Sequence, residues 1–220
     1  MFDAILLMAG ESQRSKLQFN KVFYEILNTP IYQYSLNQFL KVNECDKIIL
    51  VVRKDDFDKV SHLQSDKILI TYGGATRQES VANGVKLATR EYVLIHDAAR
   101  CNIQKENIIE VYNETVKNDA CVLGIKVTDT IKEVQNSLVN KTLDRNNLWA
   151  VQTPQGVNRK LFLDCLEKAN ENCYQGFDDV ELVEKFGGVK VKIIEGKHSN
   201  IKLTNPIDFK LMELIIKEGL

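Results

Sequence analysis

The sequence predicts an α/β protein built on a doubly wound, mostly parallel sheet. Three features predict it: short apolar runs recur along the chain, stretches with helical periodicity separate them, and several of those stretches follow helix-start signals. A strand followed by a helix, repeated along a chain, forms right-handed β-α-β crossovers and therefore a sheet of parallel strands with helices on both faces.

Six runs have the character of buried strands. Each is short and apolar at consecutive positions, and most are rich in β-branched residues, as strands covered on both faces must be. In chain order they are FDAILLM (2–8), KIILVV (47–52), KILITY (67–72), YVLIHD (92–97), ACVLGI (120–125) and VKVKII (189–194).

Helix-start signals precede three of the stretches between these runs. Thr76 and Glu79 predict a capping box that opens RQESVANGVKLAT, since the threonine side chain can accept from the amide three residues on while the glutamate bonds back. Two further helices, IYQYSLNQFL and IDFKLMELIIK, follow a possible cap and a first-turn proline, which are Thr29-Pro30 and Asn205-Pro206.

Residues 127–148 break the alternation of strand and helix. The stretch VTDTIKEVQNSLVNKTLDRNNL alternates polar and apolar residues around a Gln135-Asn136 turn signal, which is typical of a β-hairpin. We expect this hairpin to protrude from the sheet as an arm, and arms of this kind often reach a neighbouring subunit. The chain has no low-complexity segment, repeat or linker, so one domain over residues 1–220 is the simplest organisation.

Composition and charge exclude several classes of protein. With 29 Lys and Arg against 30 Asp and Glu, the chain has no uniform positive field, so a nucleic-acid partner is not expected. Five cysteines without a C-x-x-C pair indicate free thiols in a reducing cytosol. The start, MFDAILLMAG, is acidic and its apolar run is short, so we expect neither export nor membrane insertion, and a cytoplasmic protein.

Ligands of open α/β sheets bind outside the carboxyl ends of the strands, and two loops compete for that position. The loop after the first strand reads AGESQRSKLQFNKV, where small residues let backbone amides approach an anion and Arg14, Lys16 and Lys21 supply positive charge. This combination favours a polyphosphate, although the loop matches neither the P-loop nor the dinucleotide pattern. Alternatively, Lys16 and Lys21 are solvated surface charges.

The second loop follows the strand in EYVLIHDAAR (91–100), where Asp97 and Arg100 flank two alanines. A carboxylate at the end of a strand can bind the Mg²⁺ that accompanies the phosphates of a nucleotide, and the alanines would leave room for the ligand. The alternative is an ion pair between Asp97 and Arg100 that fixes a turn. His96 is interpreted as a buried, hydrogen-bonded structural histidine rather than a base or a metal ligand.

Three segments of the chain, in this order, resemble a known family. LIHDAAR, LDRNNLWAVQTPQ and NIKLT, behind an N-terminal loop with Arg14 and Lys21, are similar to the 2-C-methyl-D-erythritol 4-phosphate cytidylyltransferases of the non-mevalonate isoprenoid pathway. The resemblance covers essentially the whole chain. It implies a Rossmann-like sheet of the nucleotidyltransferase type, transfer of CMP from CTP to the sugar phosphate with release of pyrophosphate, Mg²⁺ or another divalent cation, and a homodimer formed through the arm.

The resemblance also implies roles for single residues. The positions that would act in catalysis, by holding the phosphates of CTP and the transferred phosphoryl group, are Arg14, Lys21 and Lys202. The positions that would contact the nucleotide are Met8, Ala9, Gly10, Gly74, Ala75, Ser80, Asp97 and Ala98, with Arg77 supporting this segment. The positions that would contact the sugar phosphate are Asp97, Arg100, Thr130, Arg145 and Thr153, those of the arm coming from the other subunit. Asp97 would also lie near the metal.

The implied chemistry suits these residue types. The attacking phosphate monoester, the α-phosphate and the pyrophosphate are all anionic, so repulsion is the main obstacle to reaction. Positioning and fixed positive charge can overcome it without a covalent nucleophile or a strong base. The absence of an activated Ser, Cys or His motif is therefore no argument against this reaction.

Several positions depart from the family pattern. The first loop usually has a second glycine, a methionine after the arginine, and Pro-Lys-Gln around the lysine, where this chain has Ser12, Ser15 and 20–22 as Asn-Lys-Val. Ala75 replaces a frequent aspartate.

The run GFDDVELVEK is interpreted as a solvated helix face. Asp178 and Asp179 within it match a position where the family carries an acidic pair, but no catalytic role is assigned to them.

Two alternatives stay open. One is a cytidylyltransferase for ribitol 5-phosphate or another polyol phosphate, because the substrate depends on the geometry of the arm. The other is a nucleotide-binding protein without turnover, which the altered first loop motivates. A nicotinamide-dependent oxidoreductase is disfavoured because its glycine fingerprint is absent.

Overall fold

The computed structural model describes residues 1–10 and 17–219. In chain order the strands are β1 (Phe2–Leu7), β2 (Glu25–Ile26), β3 (Thr29–Pro30), β4 (Cys45–Val52), β5 (Ile68–Tyr72), β6 (Tyr92–Asp97), β7 (Ala120–Lys126), β8 (Lys132–Gln135), β9 (Leu138–Thr142), β10 (Trp149–Asn158) and β11 (Lys192–Glu195). The α-helices are α1 (Ile31–Leu40), α2 (Phe57–Val60), α3 (Arg77–Leu87), α4 (Lys105–Asn118), α5 (Arg159–Glu171), α6 (Asp179–Phe186) and α7 (Pro206–Glu218).

Seven of the strands in the described ranges form one central sheet, in the order β11-β7-β10-β6-β1-β4-β5. All pairs are parallel except those of β10, which runs antiparallel to both β6 and β7. The predicted α/β fold with a doubly wound, mostly parallel sheet is confirmed, and all six predicted strands lie in this sheet. The seventh strand, β10, was missed because the polar stretch from Gln152 to Gln155, with Pro154 inside it, interrupts the apolar pattern and shifts the register against β7.

Helices cover both faces of the sheet. Successive side chains of a strand point to opposite faces, so Ile5 and Leu6 of β1 belong to different core clusters. Leu6 shares its cluster with Phe39 of α1, whereas Ile5 shares its cluster with Val85 of α3 and Phe162 of α5. Burial on both faces explains why the strands are apolar at consecutive positions.

Two helix-start predictions have different outcomes. At α7, Asn205 and Asp208 form a capping box with Pro206 in the first turn, as predicted. At α1, the prediction of a threonine cap was wrong, because Thr29 and Pro30 form the short strand β3, which pairs with β2, and the α1 start has no side-chain cap bond. The short ladder fixes the entry to α1 in place of a cap.

A hairpin of β8 and β9 lies within the predicted residues 127–148. Asn136 and Ser137 form its turn with φ of 50° and 64°, and every residue of both strands is exposed. Leu138 and Val139 leave 75% and 60% of their surface in solvent, which is unusual for apolar side chains in a strand. Among the helices that the structure describes, none combines the length and apolarity needed to cross a membrane.

Candidate active site

A cavity of about 720 Å³ opens at one edge of the sheet. It lies where the parallel strands β1, β4, β5 and β6 end, which is the edge at which α/β sheets bind ligands. The residues that line it are Leu7, Ala9, Gly10, Asn20, Lys21, Val22, Arg53, Lys54, Gly73, Gly74, Ala75, Thr76, Arg77, Ser80, Asp97, Ala99 and Lys202.

The chain after β1 forms one wall of this cavity. Ala9 and Gly10 line it directly, and Lys21 lies on it at the start of a 3₁₀ turn (Lys21–Phe23). The predicted cation Arg14, together with Lys16, lies outside the described residues. Of the predicted cations of this loop, the structure therefore places Lys21 at the cavity, beside Ala9 and Gly10.

The loop after β5 forms the facing wall. A Cβ added at Gly73 would lie 2.5 Å from the Cβ of Ala9, so the two walls meet at a place where only glycine fits. Ser80 accepts a hydrogen bond from the Gly74 amide at 3.1 Å and donates to the Thr76 carbonyl at 2.9 Å. These bonds fix the small residues of the wall against the first turn of α3.

The predicted capping box of α3 is only half formed. The Thr76 side chain accepts from the Glu79 amide at 3.1 Å, as predicted. The Glu79 carboxylate accepts instead from the amide of Ala75 at 2.8 Å, one residue before the cap. The difference fixes Ala75, a predicted nucleotide contact, at the rim of the cavity.

Charged side chains from four parts of the chain meet around Asp97. Lys202 Nζ lies 2.6 Å from one oxygen of this carboxylate and Arg77 lies 3.4 Å from the other. Burial acts to raise the pKa of Asp97, but the two cations outweigh it and hold that pKa well below its usual range. Asp97 is therefore an anion at neutral pH.

Arg77 is itself fixed by a second carboxylate. Its guanidinium donates to both oxygens of Asp179, each at 2.8 Å, in the bidentate geometry that suits these two groups. Burial acts to lower the pKa of Arg77, whereas Asp179 and Asp97 raise it, and the carboxylates prevail. The side chain of Asp179 is only 3% exposed, so the prediction of a solvated helix face was wrong at this residue.

The predicted ion pair between Asp97 and Arg100 does not form within the part of the chain that the structure describes. Arg100 instead donates to the carbonyl oxygens of Asn200, at 2.9 Å, and Val151, at 3.3 Å. The alternative interpretation of EYVLIHDAAR as a local ion-paired turn is therefore wrong. Asp97 reaches across the sheet edge to Lys202 and Arg77, and Arg100 ties the chain before Ile201 to β10.

His96 and Thr153 support Asp97 from behind. The Thr153 hydroxyl accepts from the Asp97 amide at 3.1 Å and lies 2.9 Å from His96 Nδ1. Since His96 Nε2 lies 3.1 Å from the Arg100 carbonyl and must donate to it, Nδ1 accepts from the hydroxyl. Burial lowers the pKa of His96 to about 4, so this ring is a neutral structural group, as expected from the sequence.

The structure separates some predicted contacts from the cavity. Met8 and Ala98 are fully buried in the core, and Ala99 lines the cavity in the place expected of Ala98. The side chain of Thr153 is buried behind Asp97 rather than exposed to a ligand.

Two predicted contacts lie on the arm. Thr130 and Arg145 are exposed, and Arg145 donates to the carbonyl oxygen of Thr128 at 2.7 Å. Neither residue lines the cavity of its own chain.

Arg53 and Lys54 were not predicted, yet both line the cavity directly after β4. The rule that ligands bind at the carboxyl ends of parallel strands, applied to KIILVV as it was to the other two loops, would have found them. The signal for Asp179 was its match to an acidic pair of the family, which gave it no role because its partner Arg77 lies 102 residues away in the sequence.

The cavity suits a polyanion. Its described lining combines one carboxylate, Asp97, with five cations, which are Lys21, Arg53, Lys54, Arg77 and Lys202. No group of three or more His, Cys, Asp or Glu side chains that could hold a metal occurs among the described residues. Fold and cavity together define an α/β nucleotide-binding protein of the nucleotidyltransferase class.

Comparisons with known proteins narrow this class. The family model of 2-C-methyl-D-erythritol 4-phosphate cytidylyltransferase matches residues 2–218. The enzyme of that name from Geobacillus kaustophilus (strain HTA426) is 39% identical over 221 residues, which cover 98% of this chain and 96% of the relative. The one from Clostridioides difficile (strain 630) is 36% identical over 98% of this chain and 94% of its own.

Solved structures agree with the sequence relatives. The 4-diphosphocytidyl-2C-methyl-D-erythritol synthase from Anaerococcus prevotii DSM 20548 superimposes with a TM-score of 0.88 at 30% identity, covering 98% of each chain. The Francisella tularensis 2-C-methyl-D-erythritol 4-phosphate cytidylyltransferase gives a TM-score of 0.83 at 26% identity, over 97% of this chain and 99% of the other. The chain belongs to the 2-C-methyl-D-erythritol 4-phosphate cytidylyltransferase family.

Proposed function

We propose that this chain transfers CMP from CTP to 2-C-methyl-D-erythritol 4-phosphate, with release of pyrophosphate and formation of CDP-methylerythritol. The observation that carries the proposal is the cluster of Asp97, Lys202 and Arg77 at the cation-lined cavity of a chain that belongs to this family. An oxygen of the sugar phosphate attacks the α-phosphorus of CTP. The bond from that phosphorus to the bridging oxygen of the β-phosphate breaks as the new P–O bond forms.

Fixed positive charge is the main contribution of the chain to this step. Lys21 and Lys202 approach the cavity from opposite ends of the sequence, so triphosphate bound between them is held against two cations. Since charge shifts from the attacking to the leaving group during transfer, each donor aimed at the phosphates stabilises the transition state, commonly by a factor of about 10²–10³ in rate. Arg14 would add a third cation from the part of the loop outside the described residues.

A divalent cation fits this arrangement. Mg²⁺ binds to one or two carboxylates together with the phosphates of its nucleotide and keeps several waters. Asp97 is the carboxylate of the described cavity lining, and it is ionised at neutral pH. When bound, the metal would neutralise phosphate charge, and Lys202 and Arg77 would keep Asp97 oriented toward it.

The loop after β5 would recognise the base through its main chain. The amides of Gly74 and Ala75 are already held by Ser80 and Glu79. Carbonyl oxygens of this loop would accept from the 4-amino group of cytosine, a donor that uracil lacks. This arrangement explains how Ala75 can replace the frequent aspartate of the family.

The arm would complete the site of a second copy of the chain. Thr130 and Arg145 are exposed on or beside the hairpin and lie away from the cavity of their own chain, while Leu138 and Val139 expose apolar surface near the turn of the hairpin. A homodimer in which each arm covers the partner's cavity would use both features. A cytoplasmic location stays a prediction from the sequence.

The test is pyrophosphate release by the purified protein with CTP and Mg²⁺, with either 2-C-methyl-D-erythritol 4-phosphate or ribitol 5-phosphate as acceptor. We expect release with the first acceptor, and losses on the order of 10²-fold or more in Lys21→Ala and Lys202→Ala. Lys197→Ala, which changes an exposed lysine near Lys202, is the matched control. Release with ribitol 5-phosphate alone would change the substrate, and CTP binding without release would support a protein that binds nucleotide without turnover.

A further inference from the structure

Asn20 is a buried polar residue at the cavity wall whose side chain is fully used in hydrogen bonds. It is 1% exposed, and its Nδ2 donates to the Met8 carbonyl at 2.7 Å and to Asp56 Oδ2 at 3.0 Å. Its Oδ1 accepts from the Val22 amide at 3.4 Å, which caps the 3₁₀ turn that begins at Lys21. A buried amide with this many partners specifies one local arrangement.

Asp56 carries the second half of this arrangement. Its carboxylate is 2% exposed and also accepts from Arg53 Nε and Lys59 Nζ, each at 2.8 Å. Burial acts to raise the pKa of Asp56, but the bonds from Arg53, Lys59 and Asn20 lower it further than burial raises it. Asp56 is therefore an anion that holds two parts of the cavity wall together, Asn20 before Lys21 and Arg53 after β4.

The backbone at Asn20 has the conformation that proline would impose. Its φ of −66° is close to the value that a proline ring imposes, and its ψ of 120° is extended. In this chain, three side-chain hydrogen bonds supply this restraint without a proline.

We propose that Asn20 is a positioning residue that acts through Lys21, with Asp56 as its anchor. It fixes the start of the 3₁₀ turn against the Met8 carbonyl, so that the lysine faces the phosphates of CTP before the nucleotide binds. This inference rests on the proposed function, because it takes CTP as the ligand of the cavity. Preorganised groups of this kind contribute more to the transition state than groups that must be ordered on binding.

Two substitutions separate positioning from simple loss of packing. Asn20→Ala removes all three bonds and should lower the affinity for CTP and kcat/KM by roughly 10-fold or more. Asn20→Asp keeps the shape but replaces the donor with an acceptor facing both the Met8 carbonyl and Asp56, so it should be at least as harmful. Adding Asp56→Asn to Asn20→Asp should recover part of the loss, because the amide introduced at position 56 can then donate to the carboxylate introduced at position 20.

The decisive experiment is a double-mutant cycle of Asn20→Ala and Lys21→Ala. The quantities measured are the Kd for CTP with Mg²⁺ by calorimetry, kcat/KM from pyrophosphate release, and the thermal unfolding midpoint. If Asn20 acts through Lys21, adding Asn20→Ala to Lys21→Ala should worsen Kd and kcat/KM by less than about 3-fold, although the unfolding midpoint still falls. Asn43→Ala, which changes an exposed asparagine between α1 and β4, is the control and should be native in all three.

Fully additive losses in the cycle would overturn the inference, as would native CTP affinity in Asn20→Ala. If Asn20→Ala does not fold, Asn20→Ser keeps an oxygen for the Val22 amide while losing both donated bonds, and the same cycle is run with it. Failure of the native chain to release pyrophosphate while it binds CTP would refute the proposed function only, because the Kd cycle still decides the role of Asn20. A native chain that does not bind CTP would refute both.

Discussion

At the scale of single residues, the pair of Arg77 and Asp179 is the interaction that organises the charges of the site. Removing one partner of such a pair leaves the other charge buried without compensation, which costs about 3–5 kcal/mol, and the partial exposure of Arg77 places the expectation at the lower end. We therefore expect Arg77→Met to lower the free energy of unfolding by about 3 kcal/mol in urea titrations. Pyrophosphate release should fall as well, because Arg77 also lies beside Asp97.

Two controls test whether the loss of stability comes from a buried charge left without its partner. Arg77→Met combined with Asp179→Leu should cost less stability than the sum of the single substitutions, because no charge is left stranded. Arg90→Met breaks a surface pair with Asp46 of 2.7 Å and should lower the free energy of unfolding far less than Arg77→Met does, because solvent screens this pair. Equal losses for the buried and the surface arginine would contradict the interpretation.

The lowered pKa of His96 makes the free energy of unfolding depend on pH. Its pKa is about 4 in the folded chain against 6.5 for a free histidine, so the unfolded chain binds more protons between these values and stability is lost as the pH falls through this window. The shift corresponds to on the order of 3 kcal/mol between pH 7 and pH 4. Asp97 acts in the same direction, but its contribution is lost only below the usual pKa of an aspartate.

The measurement is the free energy of unfolding in urea at pH 7.0 and at pH 5.0. His96→Gln, which can keep a donor and an acceptor but does not titrate, should show a smaller loss over this interval than the native chain. An unchanged pH dependence in the variant would show that other groups are responsible.

Residue by residue, the sequence located some parts of the site and could not have located others. Asp97 was predicted as a site residue by the rule that ligands bind at strand ends, and Lys202 was predicted by the family resemblance. Asp179 and Asn20 could not be assigned, because their meaning depends on partners 102 and 36 residues away that only the fold brings into contact. The alternative of an ion pair between Asp97 and Arg100 was wrong for the same reason, since the acceptors of Arg100 are backbone carbonyls of distant segments.

At the scale of elements, the packing of α3 on the sheet depends on Gly84. A Cβ at this position would lie 2.5 Å from Cγ2 of Ile5 and 2.9 Å from Cγ2 of Val51. Although alanine is intrinsically the better helix former, Gly84→Ala should destabilise the chain by about 1–3 kcal/mol, because both contacts are buried and must shift. Thermal unfolding checks this, with Lys86→Ala on the exposed face of α3 as a control within about 0.5 kcal/mol of native.

A stable Gly84→Ala variant would show that α3 can move away from β1. Such a shift should then be visible at the active site, since the first turn of α3 holds Ser80 and Arg77 at the cavity. Activity of this variant thus reports whether the helix position and the site are coupled.

Elements were predictable where burial imposes a pattern. Strands β1, β4, β6 and β7 could be predicted because both of their faces are covered, which forces apolar residues at consecutive positions. Strand β10 was not predicted because three of its residues are polar for reasons that are not local. Gln152 bonds to Asn200, Thr153 bonds to Asp97, and Gln155 bonds to the start of α6. Its polarity is a property of the tertiary structure.

At the scale of the whole molecule, the proposed homodimer predicts that two inactive variants restore each other's activity when they are mixed. Arg145 lies on the arm and Lys202 at the cavity, and in the dimer a complete site takes Lys202 from one copy and Arg145 from the other. Arg145→Ala and Lys202→Ala should each be nearly inactive alone. Mixing them after mild unfolding and refolding should restore about a quarter of the native rate, since half of the dimers are mixed and each of these has one intact site.

The same experiment separates the arm from other roles of these residues. If Arg145 acts within its own chain, the mixture stays inactive, because one subunit lacks Lys202 and the other lacks Arg145. Leu138→Glu tests the contact itself: burying a charge where an exposed leucine now stands should shift sedimentation toward the monomer and remove the recovery on mixing. The affinity for CTP should stay native in this variant, since every described residue that lines the cavity comes from outside the hairpin strands.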